Sequence, residues 1–149
     1  MKIKKVEVQL QSYIIINNTK YIVDGKKVVL EPSNKEINMA IWLSKKLSIE
    51  IKLLPRILLP ENIKTADYSI NGEYWDLKEI TSNRNNALYN RIRKKDNQAS
   101  NFIIDISNSK LTIKALQYQI VELYSSKHFK WLNKIIVKKN NDVRIIKRQ

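Results

Sequence analysis

The chain has 149 residues and no cysteine, and its 28 Lys and Arg against 14 Asp and Glu give a net charge of +14. That length suits one domain with its own hydrophobic core, and the lack of cysteine excludes disulfides, zinc–thiolate sites and cysteine nucleophiles. No apolar run is long enough to span a membrane and no secretory signal is recognisable, so we expect a cytoplasmic site of action. A charge this positive predicts contact with a polyanion, most often nucleic acid.

Residues 1–30 have the pattern of short β-strands. Residues 6–10 alternate apolar and polar side chains, and Asp24–Gly25 is a strong turn signal between two apolar runs. We therefore predict a small antiparallel meander here, ahead of a core that spans about residues 33–147.

The core is predicted to open with a helix, because Ser33 and Glu36 have the spacing of a capping box and apolar residues follow at helical intervals. The remaining predicted elements alternate strands with helices: a strand over 49–53, a loop over 55–64, a hairpin over 66–80, a helix over about 82–100, a strand over 102–106, a helix over about 112–124 and a hairpin around 140–142. This order predicts a single domain over residues 1–149, of the α/β (α+β) class, with a central mixed sheet flanked by helices.

The hairpin over 66–80 is the stretch that best indicates chemistry. Asn71–Gly72 is the strongest signal for a two-residue turn, and pairing from that turn sets Asp67 opposite Asp76, with Lys78 on the same face. Two facing carboxylates repel each other, so we expect a compensating cation, and Mg²⁺ or Mn²⁺ suits clustered carboxylate oxygens. The alternative is an exposed face on which Lys78 only neutralises Asp76, and a lone Asp-x-Lys pattern favours that alternative.

These residues resemble the core motif of the PD-(D/E)XK nuclease superfamily, whose fold is restriction-endonuclease-like, although Ala66 stands where that motif usually has proline. Over about residues 25–147 the chain is more narrowly similar to the C-terminal nuclease toxin domains of contact-dependent growth-inhibition proteins, which are tRNA nucleases or DNases. Toxin folds of the barnase–EndoU–colicin–RelE type have a similar layout. The stretches that carry the narrower similarity are Lys35-Glu36, Trp42-Leu43, Leu53-Leu54-Pro55, Ala66-Asp67, residues 71–78, Gln98-Ala99 and Ile104-Asp105.

The resemblance implies roles for four residues. Asp67 and Asp76 would be the main ligands of the metal, Lys78 would be the catalytic lysine, and Glu36 would be a further ligand or would orient a water. The capping box gives Glu36 an equally good structural role at the start of its helix.

Basic side chains follow the motif on the predicted helix over 82–100. Its polar residues are expected to lie beside the metal site and contact phosphates, although a solvated face would have the same composition. They are Arg84, Arg91, Lys94, Lys95 and Gln98. Tyr68 and Tyr74 are open candidates for stacking on a base, whereas Trp42 and Trp75 are expected in the core.

Together these features favour a metal-dependent nuclease that cleaves tRNA or another RNA as a toxin, with a small acidic immunity protein as its partner. A DNA endonuclease of phage, mobile-element or restriction type is the nearest alternative. A nucleic-acid-binding module without activity, or a basic partner-binding protein, is the alternative from another class.

Overall fold

The computed structural model describes residues 6–8, 13–16, 19–22, 28–29, 33–54, 56–57, 65–96 and 99–149, with side chains from residue 33 onward except in 56–57. Gln98, the predicted turn at Asp24–Gly25 and most of the predicted loop over 55–64 lie outside the described residues. The chain divides into two compact units, Met1–Tyr74 and Trp75–Gln149. Whether these act as the single domain expected from the sequence stays a prediction.

The first unit combines short strands with one long helix. Its described elements are β1 (Val6–Val8), β2 (Tyr13–Ile16), β3 (Thr19–Ile22), β4 (Val28–Val29), α1 (Asn34–Leu47), β5 (Ile51–Leu53), β6 (Arg56–Ile57) and β7 (Tyr68–Ile70). The predicted antiparallel meander is confirmed for β2 and β3 only. Strand β1 pairs in parallel with β5, and β4 pairs with β6, which lies inside the predicted loop. Local alternation indicates that a strand forms, but it does not identify a partner this far along the chain.

Helix α1 begins where the capping box predicted. The Ser33 Oγ accepts from the backbone N–H of Glu36 at 3.2 Å and lies 3.1 Å from the Glu36 carboxylate. The helix buries Met39 and Leu43, and it ends at Ser48 in a left-handed conformation with φ of 54°. The carboxylate of Glu36 is therefore engaged at the helix start.

The second unit is a mixed sheet with helices packed on one face. Its elements are β8 (Glu73–Glu79, mostly within this unit), α2 (Ala87–Ile92), β9 (Asn101–Asp105), α3 (Ile113–Tyr124), a 3-10 turn (Lys127–Phe129), β10 (Lys134–Lys139) and β11 (Asp142–Lys147). Strand β9 runs parallel to both β8 and β10, and β11 closes the edge antiparallel to β10. Parallel neighbours need crossover connections, which α2 and α3 provide. The predicted mixed α+β class is confirmed.

The core of the second unit lies between the sheet and these helices. Phe102 and Ile104 of β9 share one face with Ile135 and Val137 of β10, and all four are fully buried. The helical residues packed against that face are Ala87, Leu88, Ile92, Leu116, Ile120 and Leu123. In the part of the chain that the structure describes, no helix is long and apolar enough to cross a membrane.

Helix α2 is much shorter than the predicted helix over 82–100. It spans six residues, Ala87–Ile92, and the chain before it is irregular. Asn83, Asn85 and Asn86 precede it, and asparagine favours turns over helix interiors because its side chain competes for backbone hydrogen bonds. Arg84 thus lies before the helix, and Lys94 and Lys95 lie after it. The prediction that one helix carries all three together with Arg91 is therefore wrong.

A buried amide from α3 fixes the start of α2. The Asn86 side chain makes no capping hydrogen bond, and Gln119, only 8% exposed, takes over that function. Its Oε1 accepts from the Leu88 N–H at 3.0 Å, and its Nε2 donates to the Arg84 carbonyl at 3.0 Å. One side chain therefore satisfies the Leu88 N–H, which the short helix leaves open, and adds a second donor to the Arg84 carbonyl, which also accepts from the Ala87 N–H at 3.2 Å.

Arg148 holds the end of α3 against the turn that follows. Its guanidinium donates to the carbonyls of Tyr124 at 2.6 Å and Phe129 at 2.6 Å, and to Leu132 at 2.8 Å. It also stacks 4.7 Å from the centre of the Tyr124 ring. Burial raises the pKa of Tyr124 to about 12, although the Arg148 charge acts in the opposite direction. The Tyr124 phenol thus remains protonated near neutral pH, and it lies 2.6 Å from the Asn133 carbonyl.

Gln119→Ala should destabilise the protein by about 1–3 kcal/mol, because it leaves the buried Leu88 N–H without a partner and removes one of the two donors to the Arg84 carbonyl. Gln117→Ala is the matched control, because Gln117 lies on α3 like Gln119 but accepts only an exposed hydrogen bond from Arg144 of β11. This change should alter stability by less than about 0.5 kcal/mol. Urea unfolding followed by circular dichroism measures both. Equal effects of the two changes would show that Gln119 does not fix α2.

Candidate active site

The Asp76 and Lys78 side chains lie on the face of the sheet that the helices cover. Asp76 is in register with Phe102 and Lys78 with Ile104, and paired residues of neighbouring strands point to the same face. Ile80, two residues further on, is part of the same buried cluster. The two-residue period of β8 therefore sets two charged groups at the border of a hydrophobic core.

These two charges form a buried ion pair. The Lys78 Nζ lies 2.7 Å from the Asp76 Oδ2, and the side chains are only 11% and 3% exposed. The Asp76 Oδ2 is buried and has no well-directed hydrogen bond to any residue in the described ranges, so the contact with Lys78 is mainly Coulombic. Of the alternative, the exposed face is wrong because both side chains are nearly buried, whereas the pairing of Lys78 with Asp76 agrees with the structure.

A buried ion pair is costly to maintain. Removing both charges from water costs several kcal/mol per ion, and their attraction offsets this only with good geometry and further hydrogen bonds. An apolar pair of similar volume would stabilise the same position at least as well. A carboxylate kept in such surroundings, beside an ammonium at 2.7 Å, is a candidate functional group.

Two of the three aromatic residues of the hairpin are structural. Trp75 is 4% exposed and belongs to the core as predicted, with its indole N–H unmatched among the described residues. Tyr68 is completely buried and donates to the Glu36 carbonyl at 2.7 Å, so it is unable to stack on a base. Tyr74, 53% exposed, keeps that possibility.

Two predicted site residues belong to the first unit. Asp67 is half-buried and its carbonyl accepts from the Leu54 N–H at 3.1 Å, while Glu36 caps α1. The predicted turn has positive φ at both central residues, 52° at Asn71 and 79° at Gly72, as a type I′ turn requires. The opposition of Asp67 and Asp76 across this turn stays a prediction. Inside each unit, no three His, Asp or Glu of the described residues are grouped as a metal site.

A cleft of about 340 Å³ opens beside the end of β8. Its walls are Glu79, Ile80, Thr81, Ser82, Ala87, Asn90 and Arg91. Arg91 is exposed, and its Nε donates to the Glu79 carbonyl at 3.2 Å, which holds the guanidinium at a cleft that Thr81 and Ser82 also line. The sequence indicated Arg91, but nothing in the pattern signalled Thr81, Ser82 or Asn90.

The positive charge is concentrated in the second unit. Sixteen of the 28 Lys and Arg but only six of the 14 Asp and Glu lie within residues 75–149. Of the predicted nucleic-acid contacts in this unit, Arg84, Arg91 and Lys94 are exposed and Lys95 is half-buried. This surface therefore has the charge that attracts a polyanion.

Comparison with known proteins links this site to one family. A family model described as the contact-dependent growth inhibition CdiA C-terminal domain matches residues 64–143, more than half of the chain and the stretch that contains Asp67, Asp76 and Lys78. Among solved structures, the chain is similar to the CdiA-CT/CdiI toxin and immunity complex from Burkholderia pseudomallei, with 27% identity and a TM-score of 0.60. The similarity covers 76% of this chain and 82% of that chain. No curated protein matches the sequence.

Lys78→Met should destabilise the protein by about 3 kcal/mol, because it leaves the buried Asp76 carboxylate without the cation beside it. Asp76→Asn combined with Lys78→Met should recover part of this loss, since neither remaining group is charged. Lys114→Met, which changes an exposed lysine of α3, is the control and should have little effect. Urea unfolding of all three variants measures the differences; a Lys78→Met protein as stable as the control would contradict a closed ion pair.

Proposed function

Because the chain belongs to the contact-dependent growth inhibition CdiA C-terminal domain family, we propose that it is a nuclease toxin domain that hydrolyses phosphodiester bonds of RNA, with tRNA as the favoured substrate. The observation that carries the proposal is the buried Asp76–Lys78 pair on β8. The similar solved structure is a complex of a toxin with its immunity protein, which supports the toxin assignment.

The surroundings of the pair suit charge stabilisation during phosphodiester cleavage. Attack on a phosphate increases negative charge on its oxygens, and a fixed ammonium in a poorly solvated position stabilises that charge more strongly than it would in water. Lys78 is the group proposed for this role, or for orienting the attacking water. Its contact with Asp76 keeps the ammonium in place before substrate arrives.

The Asp76 Oδ2 fits a hard divalent cation. It is a buried carboxylate oxygen whose contact in the second unit is the Lys78 ammonium at 2.7 Å, so an ion bound there would replace part of that contact. Asp76, Asp67 and Glu36 are the proposed ligands of Mg²⁺ or Mn²⁺, by resemblance to the PD-(D/E)XK motif. When bound, the ion would polarise the phosphate and lower the pKa of a coordinated water.

The cleft beside β8 is the proposed site for a neighbouring phosphate. Arg91 can donate two hydrogen bonds to phosphate oxygens, and the hydroxyl groups of Thr81 and Ser82 line the same cleft. Arg84, Lys94 and Lys95 add positive charge at longer range, which increases the association rate without selecting a sequence.

Purified protein should cleave tRNA in Mg²⁺ but not in EDTA, and either Asp76→Asn or Lys78→Met should reduce the rate about 100-fold or more. Asp142→Asn, which changes an exposed carboxylate at the start of β11, should cleave at the normal rate. Gel electrophoresis of tRNA and of plasmid DNA under both conditions measures this, with circular dichroism to show that each variant is folded.

Other outcomes of this assay support the alternatives. Cleavage of plasmid DNA alone would assign a DNA endonuclease, and RNA binding without cleavage in any lane would assign a binding module. Cleavage that persists in EDTA would contradict the metal site.

Arg91→Ala should raise KM for the cleaved substrate about five-fold and leave kcat unchanged, because a phosphate contact outside the reacting bond contributes uniform binding.

An acidic immunity protein is the proposed protein partner. The excess of basic residues in the second unit would attract an acidic surface, and the toxin in the similar solved structure is bound to an immunity protein. A partner that covers the cleft beside Arg91 would exclude the substrate's phosphates from the same charges.

The association rate with an acidic protein encoded beside this chain should fall at least tenfold when NaCl rises from about 50 to 500 mM, because electrostatic steering is screened by salt. At low salt, Arg91→Glu should associate more slowly than the unmodified chain. Lys147→Glu on the edge strand β11 makes the same change of charge away from the cleft and is the control, which should slow association less. Stopped-flow fluorescence measures these rates, and a rate independent of salt would contradict an electrostatic partner.

A further inference from the structure

A second cavity lies on the other flank of α2. Its volume is about 230 Å³, and its walls are Asn85, Asn86, Tyr89, Gln119, Glu122 and Leu123. None of these residues belongs to the ion pair or to the phosphate cleft. The lining combines one aromatic ring, an apolar side chain, three amides and one carboxylate.

Tyr89 is the aromatic wall of this cavity. Its ring packs against Phe129 with 5.7 Å between the centroids, yet 44% of the residue remains exposed. The contact with Phe129 restricts the ring before any ligand arrives, so little conformational freedom is lost on stacking. Leu123, 9% exposed, provides an apolar contact beside it.

The polar groups around Tyr89 are free to bind a ligand. Gln119 is fully used in holding α2, but the side chains of Asn85, Asn86 and Glu122 make no hydrogen bond to the residues that the structure describes. All three are exposed at the rim. Glu122 is one of only six acidic residues in the second unit, so it adds a strong acceptor where the surrounding charge is positive.

We propose that this cavity binds one unpaired nucleobase of the RNA substrate, with Tyr89 stacked on the base and Asn85, Asn86 and Glu122 hydrogen-bonded to its edge. The inference rests on the proposed function for its ligand, but it uses none of the catalytic residues. A single base presents a flat apolar face with donors and acceptors around its rim, and single-stranded RNA is recognised by this combination of stacking and edge contacts.

The carboxylate sets a preference among the bases. Glu122 only accepts hydrogen bonds when ionised, so it favours adenine, cytosine or guanine, which carry an exocyclic amine, over uracil, which has none. The asparagines both donate and accept, which allows any of these three bases to complete its hydrogen bonds. Discrimination between them is not expected from this lining.

The experiment measures binding of short fluorescent single-stranded oligoribonucleotides of A, C or U to the full chain in EDTA, by anisotropy. The unmodified chain should bind A and C oligonucleotides more tightly than U. Tyr89→Ala should weaken binding about tenfold or more, and Tyr89→Phe should bind within about twofold of the unmodified chain, because the phenyl ring still stacks. Glu122→Gln should reduce the preference for A and C over U.

Tyr118→Ala is the matched control, since Tyr118 is a more exposed tyrosine of α3, at 68%, that does not line the cavity. Equal affinities of Tyr89→Ala and Tyr118→Ala, with Glu122→Gln unchanged in base preference, would overturn the inference. Thermal unfolding of Tyr89→Ala shows whether the lost Phe129 contact has destabilised the protein, as opposed to removing the base site alone. If Tyr89→Ala does not fold, the Glu122→Gln variant still tests the site, because Glu122 is exposed.

The two proposals fail in different ways. Binding that depends on Tyr89 in a protein that cleaves no nucleic acid would refute the nuclease assignment and leave the base site standing. Cleavage that depends on Asp76, together with binding that is indifferent to Tyr89 and Glu122, would refute the base site alone.

Discussion

The second unit is organised by one strand that pairs on both sides. β9 lies between β8 and β10, both parallel to it, and its residues Phe102, Ile103 and Ile104 are completely buried. Parallel pairing on each side requires the chain to cross over twice, so α2 and α3 are brought to the sheet by the same constraint. The cleft beside Arg91 and the second cavity are both lined by residues of these crossovers.

The register of β8 against β9 also explains why the ion pair is buried. Asp76 and Lys78 are level with Phe102 and Ile104, whose face is covered by the helices. A shift of one residue would turn both charges to the other face and bring Trp75 and Leu77 into their place. The hydrophobic packing of β9 therefore fixes the electrostatics of β8, and a catalytic role for the pair would depend on core residues that touch no substrate.

Local patterns in the sequence were sufficient to predict the start of α1, the turn before β8 and the buried face of α3. The capping box at Ser33, the positive φ at Asn71–Gly72 and the apolar stripe of α3 each agree with the structure. The helix over 82–100 was predicted too long because the apolar spacing outweighed the asparagines that precede α2, and the Gln119 contact that fixes its start is 31 residues from Leu88 in sequence. Asp76 and Lys78 followed from the two-residue period, but their burial did not, since an exposed strand has the same alternation. The pairing of β1 with β5 likewise has no signal within either strand.

Helix α2 contributes Arg91 to one cavity and Tyr89 to the other, while its Leu88 and Ile92 are buried in the core. A helix this short has little stability of its own and depends on contacts from the rest of the unit. Gln119 and the buried side chains of Leu88 and Ile92 supply those contacts, so α2 is already in place before anything enters either cavity. A ligand long enough to reach both cavities would pay the cost of losing its free motion once and would then bind more strongly than either of its ends alone.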